Sequence, residues 1–368
     1  MKNIALIDYD FSIFGGVEKV TQELANGLSN CYNVYIISIN KSNKNIPYST
    51  KKNIEIIFLN RNSTNRLRYI IKNSKKKLSR YLKKNNIEVV LCMGHYACFA
   101  SIACKLFSNT KFIFCDHGAL INQWNDKKTR LMRKINSMLS DYTVVLTDRT
   151  LLDYIKLFHI KSSKITRIYN FIPADLLKQF KNLKYNLKSN KIISVGRLSE
   201  EKGFDLLLEI AKRLKRINSN WIWDIYGDGN LKEEIASKIV EFKLEKNVFL
   251  KGNDSDIIKK YNDYGVYALT SYREGLPLVL LEAKVNKLPI ISFDIETGPN
   301  EIVENNINGF LVKKYNTVEY AKKLNKLLND EDLRQNFSDN AYCNIEKFKE
   351  EKILKEWENL INRLLEEK

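Results

Sequence analysis

Runs of four to seven residues, rich in Ile and Val and apolar throughout rather than alternating, recur along this chain. A strand that is apolar on both faces is one buried on both faces, the condition of a parallel sheet sandwiched between helices. In the first half such runs fall at 3–8, 33–39, 54–59, 87–93, 111–115, 142–147 and 164–168. Helical spacing fills the gaps, at 16–29, 64–84, 96–107, 127–139 and 148–158. The second half repeats the pattern, with strands expected at 191–195, 221–226, 247–250, 265–269, 289–292 and 309–312. Its helices are expected at 203–217, 230–242, 254–262, 277–286 and 316–329. Strand and helix taking turns twice over predicts an α/β protein with two doubly wound parallel sheets, each a Rossmann-like domain.

Between the halves lies Asn170-Phe171-Ile172-Pro173, followed by a polar, Lys- and Asn-rich stretch to Asn190 that reads as a linker. The expected domains are therefore 1–180 and 181–345, with a tail at 346–368. In that tail Ile353, Trp357, Leu360, Ile361 and Leu364 form one helical stripe, so it is expected to return across the domain junction. A central cleft between two such domains is a favoured place for a ligand.

The composition fits this reading. Of 368 residues, 44% are hydrophobic, which excludes a disordered chain. No apolar run reaches membrane-spanning length. The chain starts directly on a strand-like Asn3–Ile7, from which no signal peptide is expected. Six cysteines without a C-x-x-C pair read as small buried hydrophobes in a reducing, cytoplasmic compartment. The net charge of +18 is lopsided. Residues 1–180 hold 29 Lys and Arg against 12 Asp and Glu, whereas 181–368 hold 32 against 31. The densest part, 61–84, has ten basic residues and no acid, with Leu67, Ile70, Ile71, Leu78, Tyr81 and Leu82 at helical spacing. Such a helix suits an anionic membrane surface, or packs its apolar face on a sheet.

The motif richest in chemistry is Glu274-Gly275-Leu276-Pro277-Leu278-Val279-Leu280-Leu281-Glu282, just after the apolar run Val266-Tyr267-Ala268-Leu269. Pro277 suits the first turn of a helix. Glu274 then sits on the loop before that helix and Glu282 about one and a half turns inside it. The backbone N–H groups of Gly275, Leu276 and the following turn would form an anion site at the helix start. A carboxylate beside an anion site makes sense for a ligand carrying both phosphate and hydroxyls, such as a nucleotide-sugar. Earlier in the second half, Val195-Gly196-Arg197-Leu198-Ser199-Glu200-Glu201-Lys202-Gly203 places two cations, Arg197 and Lys202, at a strand-to-helix turn. Two fixed cations suit a diphosphate and would stabilise the charge it gains on leaving. Tyr226-Gly227-Asp228-Gly229 and Lys251-Gly252-Asn253 bring further turns to the same sheet edge. Near the N-terminus Gly15-Gly16-Val17-Glu18 opens a helix after the first strand, without G-x-G-x-x-G or P-loop spacing. Asp8-Tyr9-Asp10 and Asp254-Ser255-Asp256 have the Asp-x-Asp spelling of a metal-held diphosphate site, and the second reads as a helix cap. With Arg197 and Lys202 present, no metal is expected at the site.

Taken in order, Gly15-Gly16-Val17-Glu18, Gly196-Arg197-Leu198 with Glu201-Lys202-Gly203, Gly227-Asp228-Gly229, and Glu274-Gly275-Leu276-Pro277 with Glu282-Ala283 resemble the signature of glycosyltransferase family 4. The resemblance implies the GT-B fold and a retaining transferase using a nucleoside diphosphate sugar, UDP before GDP. It implies that Arg197 and Lys202 bind the donor diphosphate, that Glu274 contacts sugar hydroxyls near the reacting carbon and that Glu282 accepts from the ribose. Gly16 would let the first domain approach phosphate or acceptor. His117, in Phe114-Cys115-Asp116-His117-Gly118, stands where the family has its active-site histidine. Asn170 resembles the family's Asn-Gly position, with Phe171 in place of the glycine. The resemblance implies no cofactor beyond the donor and front-face attack in a tight ion pair.

The function so expected is transfer of a hexose or N-acetylhexosamine to a lipid-linked saccharide in bacterial surface polysaccharide synthesis, on the inner face of the cytoplasmic membrane. Two other readings compete. One is a different sugar-nucleotide enzyme of the same fold, such as an epimerase, although acids for acid/base work are sparse in the first domain. The other is a basic protein without catalysis that binds membrane or nucleic acid. It lacks an aromatic-basic stacking motif and leaves the Glu274/Glu282 pair unexplained.

Overall fold

The computed structural model describes residues 1–60, 67–254 and 256–366, with the backbone alone described at 67–73 and 107. Two compact units emerge: Met1–Phe171 together with Lys347–Lys368, and Ile172–Glu346.

The first unit runs β1 (Asn3–Asp8), α1 (Gly16–Leu28), β2 (Asn33–Ser38), β3 (Glu55–Phe58), α2 (Leu67–Lys84), β4 (Val89–Met93), α3 (His95–Ser101), β5 (Lys111–Asp116), α4 (Lys127–Leu139), β6 (Tyr142–Val145), α5 (Asp148–Phe158) and β7 (Ile165–Arg167). The second runs α6 (Ala174–Phe180), β8 (Lys191–Val195), α7 (Phe204–Ile217), β9 (Ile222–Tyr226), α8 (Lys232–Glu241), β10 (Val248–Gly252), α9 (Ile257–Lys260), β11 (Val266–Leu269), α10 (Leu278–Val285), β12 (Ile290–Asp294), α11 (Pro299–Ile302), β13 (Gly309–Lys313), α12 (Thr317–Asn329) and α13 (Glu331–Asp339). Helix α14 (Glu350–Glu366) closes the chain and belongs to the first unit.

Each apolar run noted in the sequence is a strand. The first sheet has seven strands in the order β3-β2-β1-β4-β5-β6-β7 and the second six in the order β10-β9-β8-β11-β12-β13. Every pairing is parallel. Both sheets are thus doubly wound, with the order reversing between β1 and β4 and between β8 and β11. Strands β4 and β5 are buried at nearly every position, as two-sided coverage requires. Helix α7 shows how the helices match: Leu207, Leu208, Ile210, Ala211 and Leu214 line its inner face and join one core with Trp221, Trp223 and Ile225.

Three helices escape the periodicity. Residues 174–180 read as linker, yet α6 forms there because Phe180 is buried and its carbonyl accepts from the Tyr342 hydroxyl at 3.2 Å. Helix α13 is polar on the page, but Phe337 is buried and Asp330 caps it by accepting from the Leu333 N–H at 2.9 Å. Short α11 starts on Pro299. The helix expected over 254–262 shortens to α9 followed by a 3-10 turn at Tyr261–Asp263, and Ser255 lies outside the described residues. Asp254 folds back on the Asp256 N–H at 2.8 Å and pairs with Lys260, so Asp256 occupies the cap position without a capping hydrogen bond from its own side chain.

The basic helix expected at 64–84 begins, in described form, at Leu67. Residues 61–66 and the side chains of Leu67, Ile70 and Ile71 lie outside the described residues. Leu78 and Leu82 are buried in the core of the first sheet, and the Tyr81 hydroxyl donates to Glu55 at 2.8 Å. The described part of its apolar face therefore packs on the sheet. All six cysteines are free thiols; four are buried, while Cys31 is exposed and Cys343 half-buried. No helix among the described residues is long and apolar enough to cross a membrane.

Helix α14 packs on α1, and its inward stripe is the one legible in the sequence: Ile353, Trp357, Leu360, Ile361 and Leu364. Trp357 is 5% exposed and shares a small cavity with Val20 and Leu24 of α1. Trp357→Ala should destabilise the first unit by about 3–5 kcal/mol, measured as a lowered urea midpoint.

Candidate active site

A ligand crevice in a doubly wound sheet opens where neighbouring strands send their connections to opposite faces. In the second unit that place is the pair β8 and β11. The loop after β8 carries Gly196 to Ser199 into a 3-10 turn at Glu200–Lys202, and the loop after β11 runs from Thr270 to Pro277.

The two loops are bound to each other. The Tyr272 N–H donates to the Glu201 carbonyl at 2.9 Å, and the Thr270 hydroxyl donates to the Lys202 carbonyl at 3.3 Å. Gly203 permits this approach. Its φ is +61°, and a Cβ there would stand 2.2 Å from the Thr270 carbonyl oxygen. A side chain at 203 would push the loops apart. The approach brings Lys202 Nζ to 2.7 Å from Glu274 Oε1. The Ser271 hydroxyl donates to the same oxygen at 2.7 Å, and the Thr297 hydroxyl donates to the Glu274 backbone carbonyl at 2.6 Å. Lys202 and Glu274 are 22% and 8% exposed, so their attraction is less screened than that of a surface pair. Chemically the arrangement presents a cation and a fixed carboxylate side by side.

Around this pair, Arg197 is exposed on the β8 loop and Gly275 is half-buried on the β11 loop. Leu276 is buried, and Pro277 (φ −71°) occupies the cap position of α10. The structure thus gathers Arg197, Lys202, Glu274, Gly275 and Leu276 at one carboxyl edge. Glu282 sits inside α10, 8% exposed, where its Oε2 accepts from the Tyr261 hydroxyl at 3.1 Å. Burial pushes that phenol well above its ordinary pKa, so it remains a donor. Glu282 is therefore held from within the unit.

The first unit offers its own edge. Gly16 starts α1 after β1, and a Cβ at Gly16 would meet nothing within 4 Å. Packing does not demand a glycine there. The Gly15 N–H donates to the Tyr48 hydroxyl at 2.7 Å, and that hydroxyl donates back to the Gly15 carbonyl at 2.7 Å. Both carboxylates of Asp8-Tyr9-Asp10 are buried. Asp8 accepts from the Thr21 hydroxyl at 2.8 Å and the Asp10 N–H at 2.9 Å. Asp10 accepts from the Ser12 hydroxyl at 2.6 Å and from Ser42. Burial raises the Asp8 carboxyl to about 6.

His117 follows β5. Beside it, buried Asp116 accepts from the Tyr154 hydroxyl at 2.6 Å and the Gly118 N–H at 3.2 Å, with Arg133 Nε 3.2 Å from its Oδ2. His117 Nε2 is buried without a hydrogen-bond partner. Burial lowers the imidazole to about 4 against the opposing pull of Asp116, so the ring is neutral at pH 7. His117 lines a small cavity that Asn170 and Phe171 also border. An orphaned buried nitrogen at a cavity wall is a place for a water or a ligand hydroxyl. His95, at the start of α3, is likewise lowered to about 4, by burial and by Arg133.

Sequence reading did not find Ser271, Thr297 or Tyr261, which fix the two glutamates, nor the Asp116–Arg133–Tyr154 group behind His117. Thr270-Ser271 at a strand end was the available signal for the first. The others join residues 17 to 38 positions apart and leave no local pattern.

Comparison with known proteins agrees with this fold. The model described as Glycosyl transferases group 1 matches residues 177–343, and that of Glycosyltransferase Family 4 matches 14–176. The chain is 31% identical to the amylovoran biosynthesis glycosyltransferase of Erwinia amylovora, over 98% of this chain and 99% of the relative. It is 26% identical, over 94% and 95%, to a Campylobacter jejuni α-1,4-N-acetyl-D-galactosaminyltransferase named for a saccharide on diphosphoundecaprenol. Among solved structures, a Staphylococcus aureus TarM mutant in complex with fondaparinux, α-GlcNAc-glycerol and UDP superimposes with a TM-score of 0.83 at 20% identity, covering 98% of this chain and all of that one.

The low value at His117 has a consequence for stability. A histidine depressed in the folded state contributes stability present above the unfolded pKa of 6.5 and lost as pH falls through about 4. Between pH 7 and pH 4 the wild-type protein should lose up to about 3 kcal/mol more stability than His117→Gln, measured by urea denaturation at both pH values.

Proposed function

The chain belongs to glycosyltransferase family 4, and on that footing we propose that it is a retaining transferase moving a hexose or N-acetylhexosamine from a UDP-sugar to a lipid-linked saccharide. The pathway proposed is bacterial surface polysaccharide synthesis. The observation that carries the reading is the Lys202–Glu274 pair at the β8/β11 edge, 2.7 Å apart. It sets a phosphate-binding cation beside a hydroxyl-binding carboxylate, the two recognition elements that a nucleotide-sugar demands.

In this reading Lys202 and Arg197 take the donor diphosphate, with the backbone N–H groups of Gly275 and Leu276 at the α10 start. Glu274 accepts from hydroxyls of the donor sugar, and Glu282 accepts from the ribose. His117, neutral at pH 7, hydrogen-bonds the donor sugar, and Gly16 leaves room for phosphate or acceptor. The bond from the anomeric carbon to the leaving phosphate oxygen breaks, and the acceptor oxygen bonds to the same face of that carbon. The acceptor proton passes to the departing phosphate. Charge grows on that phosphate as the bond breaks, and fixed cations stabilise it most at that moment.

UDP is favoured over GDP by the UDP bound in the TarM complex. The lipid-linked acceptor is supported by the diphosphoundecaprenol named for the Campylobacter relative, and by the basic first half of the chain, which suits an anionic membrane surface. Both support a peripheral enzyme on the cytoplasmic face. Family membership as a transferase displaces the reading of a non-catalytic nucleic-acid-binding protein.

UDP should raise the melting temperature, with a larger shift for one UDP-sugar than for the others, and Lys202→Ala should abolish the shift. Lys202→Ala and Glu274→Ala should each lower kcat about 100- to 1,000-fold. Transfer within a few-fold of wild type in both variants would sink the assignment. We further propose that Arg197 and Lys202 replace a metal in holding the diphosphate, so the transfer rate should be unchanged in excess EDTA.

A further inference from the structure

Helix α4 is turned inside out. Its inward side is mostly polar: Thr129, Arg133, Asn136 and Ser137 are buried there, with Met132 the apolar exception. These grip the unit through polar contacts: Arg133 pairs with Asp116 and donates to the Ala119 carbonyl at 3.1 Å, and the Asn136 amide donates to the His95 carbonyl at 2.9 Å. Its outward stripe, at i, i+4, i+7 and i+11, reads Lys127, Leu131, Lys134 and Met138. Leu131 is 58% exposed and Met138 61%. The stripe spans about 16 Å along the helix.

The 3-10 turn Ile102–Phe107, which follows α3, extends it. Leu106 is 82% exposed, and the neighbouring Lys105 ammonium donates to the carbonyl of Leu139, itself 54% exposed. Scattered single apolar residues on a surface need no explanation, whereas several gathered on one face do. Folding of the unit gives none, because α4 is anchored by its polar side and by Met132.

We propose that this face, Leu106 with Leu131, Met138 and Leu139 among Lys127, Lys128 and Lys134, docks on an anionic phospholipid bilayer. The inference rests on the reading that the acceptor is lipid-linked. A bilayer offers phosphates to the lysines and hydrocarbon to the leucines and methionine at matching depth. Residues 127–139 contain no acid, and Lys127, Lys128 and Lys134 have no ion pair among the described residues. Nucleic acid would satisfy the lysines and strand the apolar side chains. A second copy of the chain would bring like charges together. The basic helix α2 is a weaker anchor, since Leu78 and Leu82 are spent on the core.

The test is co-sedimentation of the full chain with vesicles of phosphatidylcholine containing about one-third phosphatidylglycerol, against phosphatidylcholine alone. The wild type should bind the mixed vesicles, and less so as salt rises. Replacing Lys127, Lys128 and Lys134 together by Ala should weaken binding about 100-fold. Leu131→Ser with Met138→Ser should weaken it about 10-fold or more. The variant Lys76→Ala, Lys83→Ala, Lys84→Ala on α2 should retain most of the binding. Three results overturn the proposal: equal binding by the α4 variants, loss confined to the α2 variant, or a dimer in size-exclusion chromatography that the α4 variants dissolve. The UDP melting shift of each variant is read in parallel. A protein that binds vesicles but gives no UDP shift refutes the donor reading alone, and the reverse result refutes the membrane face alone.

Discussion

In a parallel sheet every strand enters from the same end, so each chain crossing must return outside the sheet, usually along a helix and, between β2 and β3, along a loop. The consequence is an edge at which all the carboxyl ends of the strands, and the loops that leave them, gather. Thirteen strands in two such sheets create two such edges here, each with one point where the order reverses. Strands β8 and β11 are distant in sequence and adjacent in space because of that reversal. Lys202 and Glu274, 72 residues apart, meet for no other reason. Gly203 supplies the last increment of closeness by having no side chain to hold the two loops apart.

The two edges are built with different chemistry. In the second unit the charged groups are part-buried and paired across loops, with hydroxyls of Ser271 and Thr297 holding Glu274 in place. In the first unit the charges retreat into the interior. Asp8, Asp10 and Asp116 are all buried and satisfied by donors of their own unit, and His117 stands in front of Asp116 as a neutral ring. The edge of the second unit thus keeps its charges part-buried and paired, and that of the first keeps them buried and satisfied from within.

How much of this the sequence revealed follows from the range of each interaction. Strands buried on both faces advertise themselves as unbroken apolar runs, so β4, β5 and β11 were legible as written. Helices whose burial depends on one residue, such as Phe180 in α6 or Phe337 in α13, carry no periodic signal, so 174–180 passed for linker and no element is expected over 331–339. The site residues on strand-end loops, Arg197, Lys202 and Glu274, were legible because their residue types are unusual beside a strand. Their supports were not. The hydroxyl of Tyr261 on Glu282 and the guanidinium of Arg133 beside Asp116 are distant partners within their units, visible only once the chain is folded. Helix α4 was placed from its spacing, yet its inversion was hidden, because period alone does not say which side faces in.

Lys202 and Ser271 both bind the same oxygen of Glu274. In the proposed reading, that shared oxygen makes the second unit answer to a conjunction rather than to either part of a ligand. An anion that draws Lys202 away leaves a part-buried carboxylate uncompensated, which opposes binding. A neutral hydroxyl alone must compete with an ammonium already in place. In the proposed reading, a molecule that delivers phosphate to the lysine and hydroxyls to the glutamate in one event replaces all that it removes, whereas the nucleotide alone replaces part of it. Free phosphate and free sugar are then expected to be poor competitors, because each breaks the internal bond and replaces only one side of it.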